Sequence, residues 1–155
     1  MEGVLVIVPC GQGKIWDHDP QRGPAPAREA YTGAPFKVNR EYAEHFGEQW
    51  VILSAKYGFI PPGFLIPGPY NITFKKPSTG PVSLATVRQQ IQEQHLGRFS
   101  TVVGLGGKEY RAMVAQAFAG LPVTLRFPFA GLGIGLMMQA TKRAIELDQI
   151  APEQH

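Results

Sequence analysis

Val4-Leu5-Val6-Ile7-Val8 is the run whose reading decides the fold. Five consecutive apolar residues, three of them valine and one isoleucine, show no polar alternation. Such a run reads as a strand buried on both faces, the pattern of a parallel sheet. Three similar runs follow at Trp50–Ser54, Thr101–Leu105 and Pro122–Arg126. Between them the apolar spacing changes to a helical period. Pro35 to Phe46 places Phe36, Ala43 and Phe46 on one stripe, with Gly47 as a stop. Ser83 to Leu96 does the same with Leu84, Val87 and Ile91, and Gly97 reads as its C-terminal cap. Lys108 to Phe118 aligns Tyr110, Val114 and Phe118, and Ile134 to Leu147 aligns Ile134, Met138, Thr141 and Ile145. Strand and helix therefore alternate four times, the order of an α/β sheet with covering helices.

The rest of the composition narrows the class. At 155 residues with 44% hydrophobic side chains, one domain with a real core is expected, over residues 1–150, with 151–155 as a tail. The net charge of +3 permits a nucleic acid or a phosphorylated ligand without demanding either. A single cysteine, Cys10, rules out a disulfide within the chain and fits a cytoplasmic protein. No apolar stretch approaches a membrane span, and no basic leader precedes the first strand, so no membrane association is expected. The four histidines lack metal-ligand spacing, so neither a metal nor a cofactor is expected.

Two long connections, Pro9 to Gly33 and Ala55 to Pro81, carry no clear period and much of the glycine and proline. Loops of that length in a compact α/β chain are commonly functional. Ligands of open parallel sheets bind beyond the carboxyl ends of the strands. There the sequence holds Pro9-Cys10-Gly11-Gln12-Gly13-Lys14, Ala55-Lys56-Tyr57-Gly58, Gly106-Gly107-Lys108 and Gly131-Leu132-Gly133-Ile134-Gly135. Glycine lets backbone N–H groups approach a ligand; helix N-termini and lysines add positive charge. This concentration suits a phosphate, a carboxylate or a base carbonyl.

Each motif also has a plainer role. Gly11-Gln12-Gly13-Lys14 is not a phosphate loop of the Walker type, because Ile15 follows the lysine. Gly131, Gly133 and Gly135 serve equally to pack the last helix on the sheet. Cys10 has the position of a small buried hydrophobe, with no histidine beside it in sequence to make it a nucleophile. Ser54, Lys56 and Tyr57 reach the ligand edge from the second strand, and Tyr70-Asn71 brings an aromatic and an amide in the same loop. Aromatics beside basic groups stack on bases or anchor loops.

Taken together, Pro9-Cys10 with Lys14, the stretch Pro26 to Gly33 with Phe36, Leu53-Ser54-Ala55-Lys56-Tyr57-Gly58, Leu105-Gly106-Gly107 with Tyr110, and Gly131 to Gly135 resemble a family of uncharacterised bacterial and archaeal domains. The resemblance covers nearly the whole chain. The pattern is more distantly similar to the uracil-DNA-glycosylase-like domain of archaeosine synthase, which has a comparable Pro-Cys start. The expected architecture is an α/β three-layer sandwich around a mostly parallel four-stranded sheet, Rossmann-like or uracil-DNA-glycosylase-like. The expected partner is a nucleic acid or a nucleotide.

Three functions compete. The first is an enzyme recognising a nucleobase in nucleic acid, a glycosylase-like hydrolase. Asp17 or Asn71 would orient water, Lys56 would hold a phosphate or the departing base, and Tyr31, Tyr57 or Tyr70 would stack. Substrate contacts would come from Cys10, Gly11, Lys14, Ser54, Gly106, Gly107, Lys108, Gly131 and Gly133. The second is an enzyme on a free nucleotide or sugar phosphate cradled by the same glycine-rich edge. The third is a binding module for nucleic acid or a modified base, with the pocket but no acid or base. The first is the expectation carried into the structure.

Overall fold

The computed structural model of the chain describes residues 2–150; the expected tail, 151–155, lies outside them. In chain order its elements are β1 (Glu2–Pro9), a 3-10 turn (Ile15–Asp17), β2 (Ala25–Pro26), α1 (Ala27–Ala30), α2 (Ala34–Phe46), β3 (Gln49–Ser54), β4 (Gly58–Ile60), β5 (Leu65–Ile66), a 3-10 turn (Pro77–Thr79), α3 (Leu84–Glu93), a 3-10 turn (Leu96–Arg98), β6 (Phe99–Gly104), α4 (Lys108–Ala117), β7 (Thr124–Arg126) and α5 (Ile134–Leu147).

The central sheet has the order β4-β3-β1-β6-β7. β1 pairs in parallel with β3 on one side and β6 on the other, and β7 continues the parallel set beyond β6. β1 is thus hydrogen-bonded along both edges and covered on both faces. Leu5 and Ile7 point to one core cluster, with Val87, Ile91, Val114 and Phe118 of the α3 and α4 region. Val6 and Val8 point to the other, with Phe36, Tyr42 and Ala43 of α2 and Ala144 of α5. All four β1 residues are essentially inaccessible. Burying side chains of this size contributes about 1.5–3 kcal/mol each. The result is a three-layer α/β sandwich, as the alternating apolar runs implied.

Several details differ from the sequence reading. The sheet has five strands instead of four. Gly58 adopts a left-handed backbone (φ +76°), turning the chain back so that Gly58–Ile60 pairs antiparallel with β3. Three residues are too few to show a period, which is why this strand read as loop. Gln90 of α3 clamps it, accepting from Phe59 N (2.8 Å) and donating to Tyr57 O (2.8 Å). The two long connections also pair with each other: β2 and β5 form a small antiparallel ribbon. α3 stops at Glu93, and Gly97 falls in the following 3-10 turn instead of capping the helix. On α5 the buried residues are Thr141 and Ala144, whereas Ile134 is 69% exposed. Among the described residues no helix is long and apolar enough to cross a membrane.

Gly58 carries a direct test. A Cβ there meets the Gln90 carboxamide and a left-handed backbone at once. Gly58→Ala is expected to destabilise the protein by about 1–3 kcal/mol, read as a lower urea midpoint at unchanged m.

Candidate functional site

The chain leaves β1 toward the α2 face and leaves β6 toward the α4 face. Adjacent parallel strands whose connections diverge this way open a crevice at their carboxyl ends, the usual ligand position of doubly wound sheets. A cavity of about 440 Å³ occupies that crevice. Residues 9–13 after β1 and Gly106, Gly107 and Tyr110 after β6 form two of its walls. The start of α2 (Gly33, Pro35, Phe36, Asn39), the start of α5 (Leu132, Ile134, Met137) and the loop residues Thr73 and Lys75 complete it.

Gly106 explains how tightly the two walls meet. It adopts φ +104°, and a Cβ there would stand 2.6 Å from Pro9 Cγ. Arg111 fixes this turn by donating to Gly106 O at 2.8 Å. The loop after β1 is held by Cys10 N donating to Leu53 O (3.0 Å) and Thr32 N donating to Gly13 O (3.0 Å).

Three helices begin at the cavity, and each starts on a glycine. Gly33, Gly107 and Gly133 are the N-caps of α2, α4 and α5, and none supplies a side-chain cap. Their first backbone N–H groups therefore have no intrahelical or capping partner; in α2 these are Ala34 and Phe36, since Pro35 carries no N–H. Neither Gly107 nor Gly133 has a left-handed backbone, and a Cβ at Gly133 would meet nothing within 4 Å. Packing of α5 on the sheet is thus not the reason for Gly133 or for Gly135, which is equally unobstructed. Lys75 is the one charged residue lining the cavity; no carboxylate lines it. Electrostatics and free donors both favour an anion.

Behind the Cys10–Gly13 loop lies a buried polar cluster. Ser54 Oγ accepts from Lys56 N (3.2 Å) and Tyr57 N (3.1 Å), which directs its own proton to Tyr70 Oη at 2.8 Å. Tyr70 in turn meets Tyr31 Oη at 2.5 Å. Burial, reinforced by the neighbouring Cys10, pushes both phenols well above their ordinary range, so both are protonated at neutral pH. Lys14 is only 6% exposed. Its ammonium donates to Gln12 O (3.1 Å) and sits 4.5 Å from the Tyr70 ring centre. Among the described residues no carboxylate pairs with it. Burial lowers its pKa, opposed by Cys10 and Asp17. Cys10 lines the cavity, where its Sγ lies 3.2 Å from Tyr110 Oη.

The structure therefore brings together Cys10, Lys14, Tyr31, Ser54 and Tyr70, with Lys56 and Tyr57 at the rim: Lys56 Nζ is 5.2 Å from the Tyr57 ring centre and 5.7 Å from that of Tyr70. Gly11, Gly106 and Gly107 line the cavity as well. Other residues lie apart. Asp17 is exposed, and its carboxylate accepts from Lys14 N (2.9 Å). Asn71, Lys108 and Gly131 are exposed and do not line the cavity. Sequence reasoning missed Asn39, Thr73 and Lys75. Asn39 is 8% exposed, lines the cavity and has no side-chain hydrogen bond among the described residues. Its only signal in the sequence was a polar residue on the apolar side of α2, three positions after Phe36.

The chain belongs to a family of unknown function (DUF6884), whose model matches residues 5–143. It is 40% identical over 146 residues to the uncharacterised protein YfjM of Bacillus subtilis (strain 168), an alignment spanning 92% of this chain and 95% of that relative. No solved structure gives a significant match.

Lys14 makes the energetic consequence measurable. Burying a charge without a counter-ion is costly, so Lys14→Met is expected to raise the melting temperature at pH 7. The sign with pH follows from the lowered folded pKa. The unfolded chain binds the proton more tightly, so stability rises with pH through the folded value toward the ordinary 10.5. Melting curves between pH 7 and 9.5 should show that rise in the natural protein and lose it in Lys14→Met.

Proposed function

We propose that the cavity binds a small phosphorylated molecule, a free nucleotide or sugar phosphate, and that the protein is an enzyme acting on it. The observation carrying this reading is the convergence of three uncapped, glycine-started helices on one cavity at the switch point of the sheet. The N–H groups of these helix starts and Lys75 supply the anion subsite, while the Glu109 carboxylate in the first turn of α4 stands beside Gly107, outside the cavity lining. Phe36, Ile134 and Met137 supply an apolar wall for the uncharged part of the ligand. A volume of about 440 Å³ suits one small molecule.

Base release from nucleic acid is less well supported. That role asked Asp17 or Asn71 to orient water, and neither lines the cavity. Lys56 and Lys108, its intended phosphate contacts, lie outside it too. A net charge of +3 is a light footprint for an extended polyanion.

Calorimetry with AMP, ribose 5-phosphate, a single-stranded decanucleotide and a duplex, across a salt series, separates the readings. Saturable binding of the two small ligands, with no gain on the oligonucleotides, is the expected result. Tighter binding to the oligonucleotides with a steep salt slope would instead favour a nucleic-acid substrate. Gly107→Asp provides the residue-level check. An N-cap aspartate in place of glycine is expected to change the stability of α4 by only about 0.3 kcal/mol, while its charge weakens AMP binding by about tenfold or more.

A further inference from the structure

Lys75 gives the cavity its one full charge, yet it belongs to no helix or strand. It lies in the connection from β5 to α3, which the central sheet does not order. Something other than the sheet must hold it.

The sequence supplies the means in Thr73-Phe74-Lys75-Lys76 and Thr79. Lys76 N donates to Thr73 O (3.3 Å), closing a β-turn with Phe74 and Lys75 at its corners. Inside that turn Thr73 Oγ1 accepts from Lys75 N (3.2 Å). One hydroxyl then fastens both ends. Thr79 Oγ1 accepts from Thr73 N (3.1 Å), and its own proton lies between Lys76 O (2.7 Å) and Thr73 O (3.1 Å). All of these bonds run among residues 73–79, so what they fix is the turn.

The two corner side chains do different things. Phe74 is half-buried and meets the Tyr110 ring edge-on, with ring centres 5.2 Å apart at 83°. Tyr110 lines the cavity from α4. Lys75 lines the cavity itself, and among the described residues its ammonium has no ion-pair partner. Phe74 thus sets where the turn docks, and Thr79 sets the shape in which it presents Lys75.

We propose, resting on the phosphorylated-ligand reading of this cavity, that Thr79 is the positioning residue of the anion subsite, holding the Thr73–Lys76 turn so that the Lys75 ammonium meets the ligand's phosphate.

The gain is preorganisation. A lysine on a loose loop gives up backbone and side-chain freedom each time it meets an anion. A turn closed in advance has given up the backbone part on folding. Thr79 touches no ligand in this role, and its effect passes entirely through Lys75.

Calorimetry on the full chain with AMP and with ribose 5-phosphate, across a salt series, tests it. Lys75→Met is expected to weaken binding by about tenfold or more and to flatten its salt dependence. Thr79→Val keeps the shape of threonine and removes the hydroxyl. It should lose most of the same factor and flatten the salt dependence likewise, whereas Thr79→Ser should bind as the natural protein does. The double variant is decisive. Thr79→Val added to Lys75→Met should weaken binding no further, because residues acting through one contact are not additive. A threonine with a merely structural role would weaken both backgrounds equally. Melting curves separate loss of binding from loss of fold. Natural affinity in Thr79→Val or in Lys75→Met, or additive losses in the double variant, would overturn the positioning role and leave the phosphate reading in place. Failure of the natural protein to bind either compound would instead remove the phosphate reading, and this role with it.

Discussion

β1 is hydrogen-bonded on both edges and packed on both faces, and this double burial sets the rest of the structure. A strand so enclosed can be entered and left only at its ends. Its two parallel neighbours, β3 and β6, must be reached by helices on opposite faces of the sheet. The connections after β1 and β6 consequently diverge, and the crevice between them is a result of topology before any site residue is chosen. What the sequence adds is how that crevice is lined: glycine at three helix starts, a left-handed Gly106 seated against Pro9, and a lysine carried in from the long loop.

Lys14 is where the fold carries a buried charge without an ion pair among the described residues. A buried ammonium with one carbonyl acceptor and a tyrosine face costs more than it returns in folding free energy. The tyrosines around it keep their protons, and Ser54 locks their hydroxyls into a chain. Local instability of this kind concentrates at working sites.

The three-layer sandwich was legible because fully buried parallel strands leave continuous apolar runs, and the helices between them keep a clean period. β4 and the β2–β5 ribbon were not, since two or three residues cannot show a period, and the two strands of the ribbon lie some forty residues apart in the chain. At the site, the thiol, Lys14, Ser54 and the tyrosines could be found because they follow strand ends or form distinctive loop motifs. Asn39, Thr73 and Lys75 could not. Asn39 stands on a helix face that otherwise reads as core, and Thr73 and Lys75 reach the cavity only through the path of an irregular loop. Asp17 lies apart from the cavity, where its carboxylate accepts from the backbone N–H of Lys14. Gly131 and Lys108 are exposed beside helix starts whose neighbouring residues line the cavity.

The central claim is that the crevice between β1 and β6 is where this protein holds its ligand. Hydrogen exchange followed by mass spectrometry, with and without saturating AMP, tests it most directly. Slower exchange confined to residues 10–14, 33–39, 73–75, 106–110 and 132–137 is the predicted result. Unchanged exchange there, or protection centred on another surface, would contradict it.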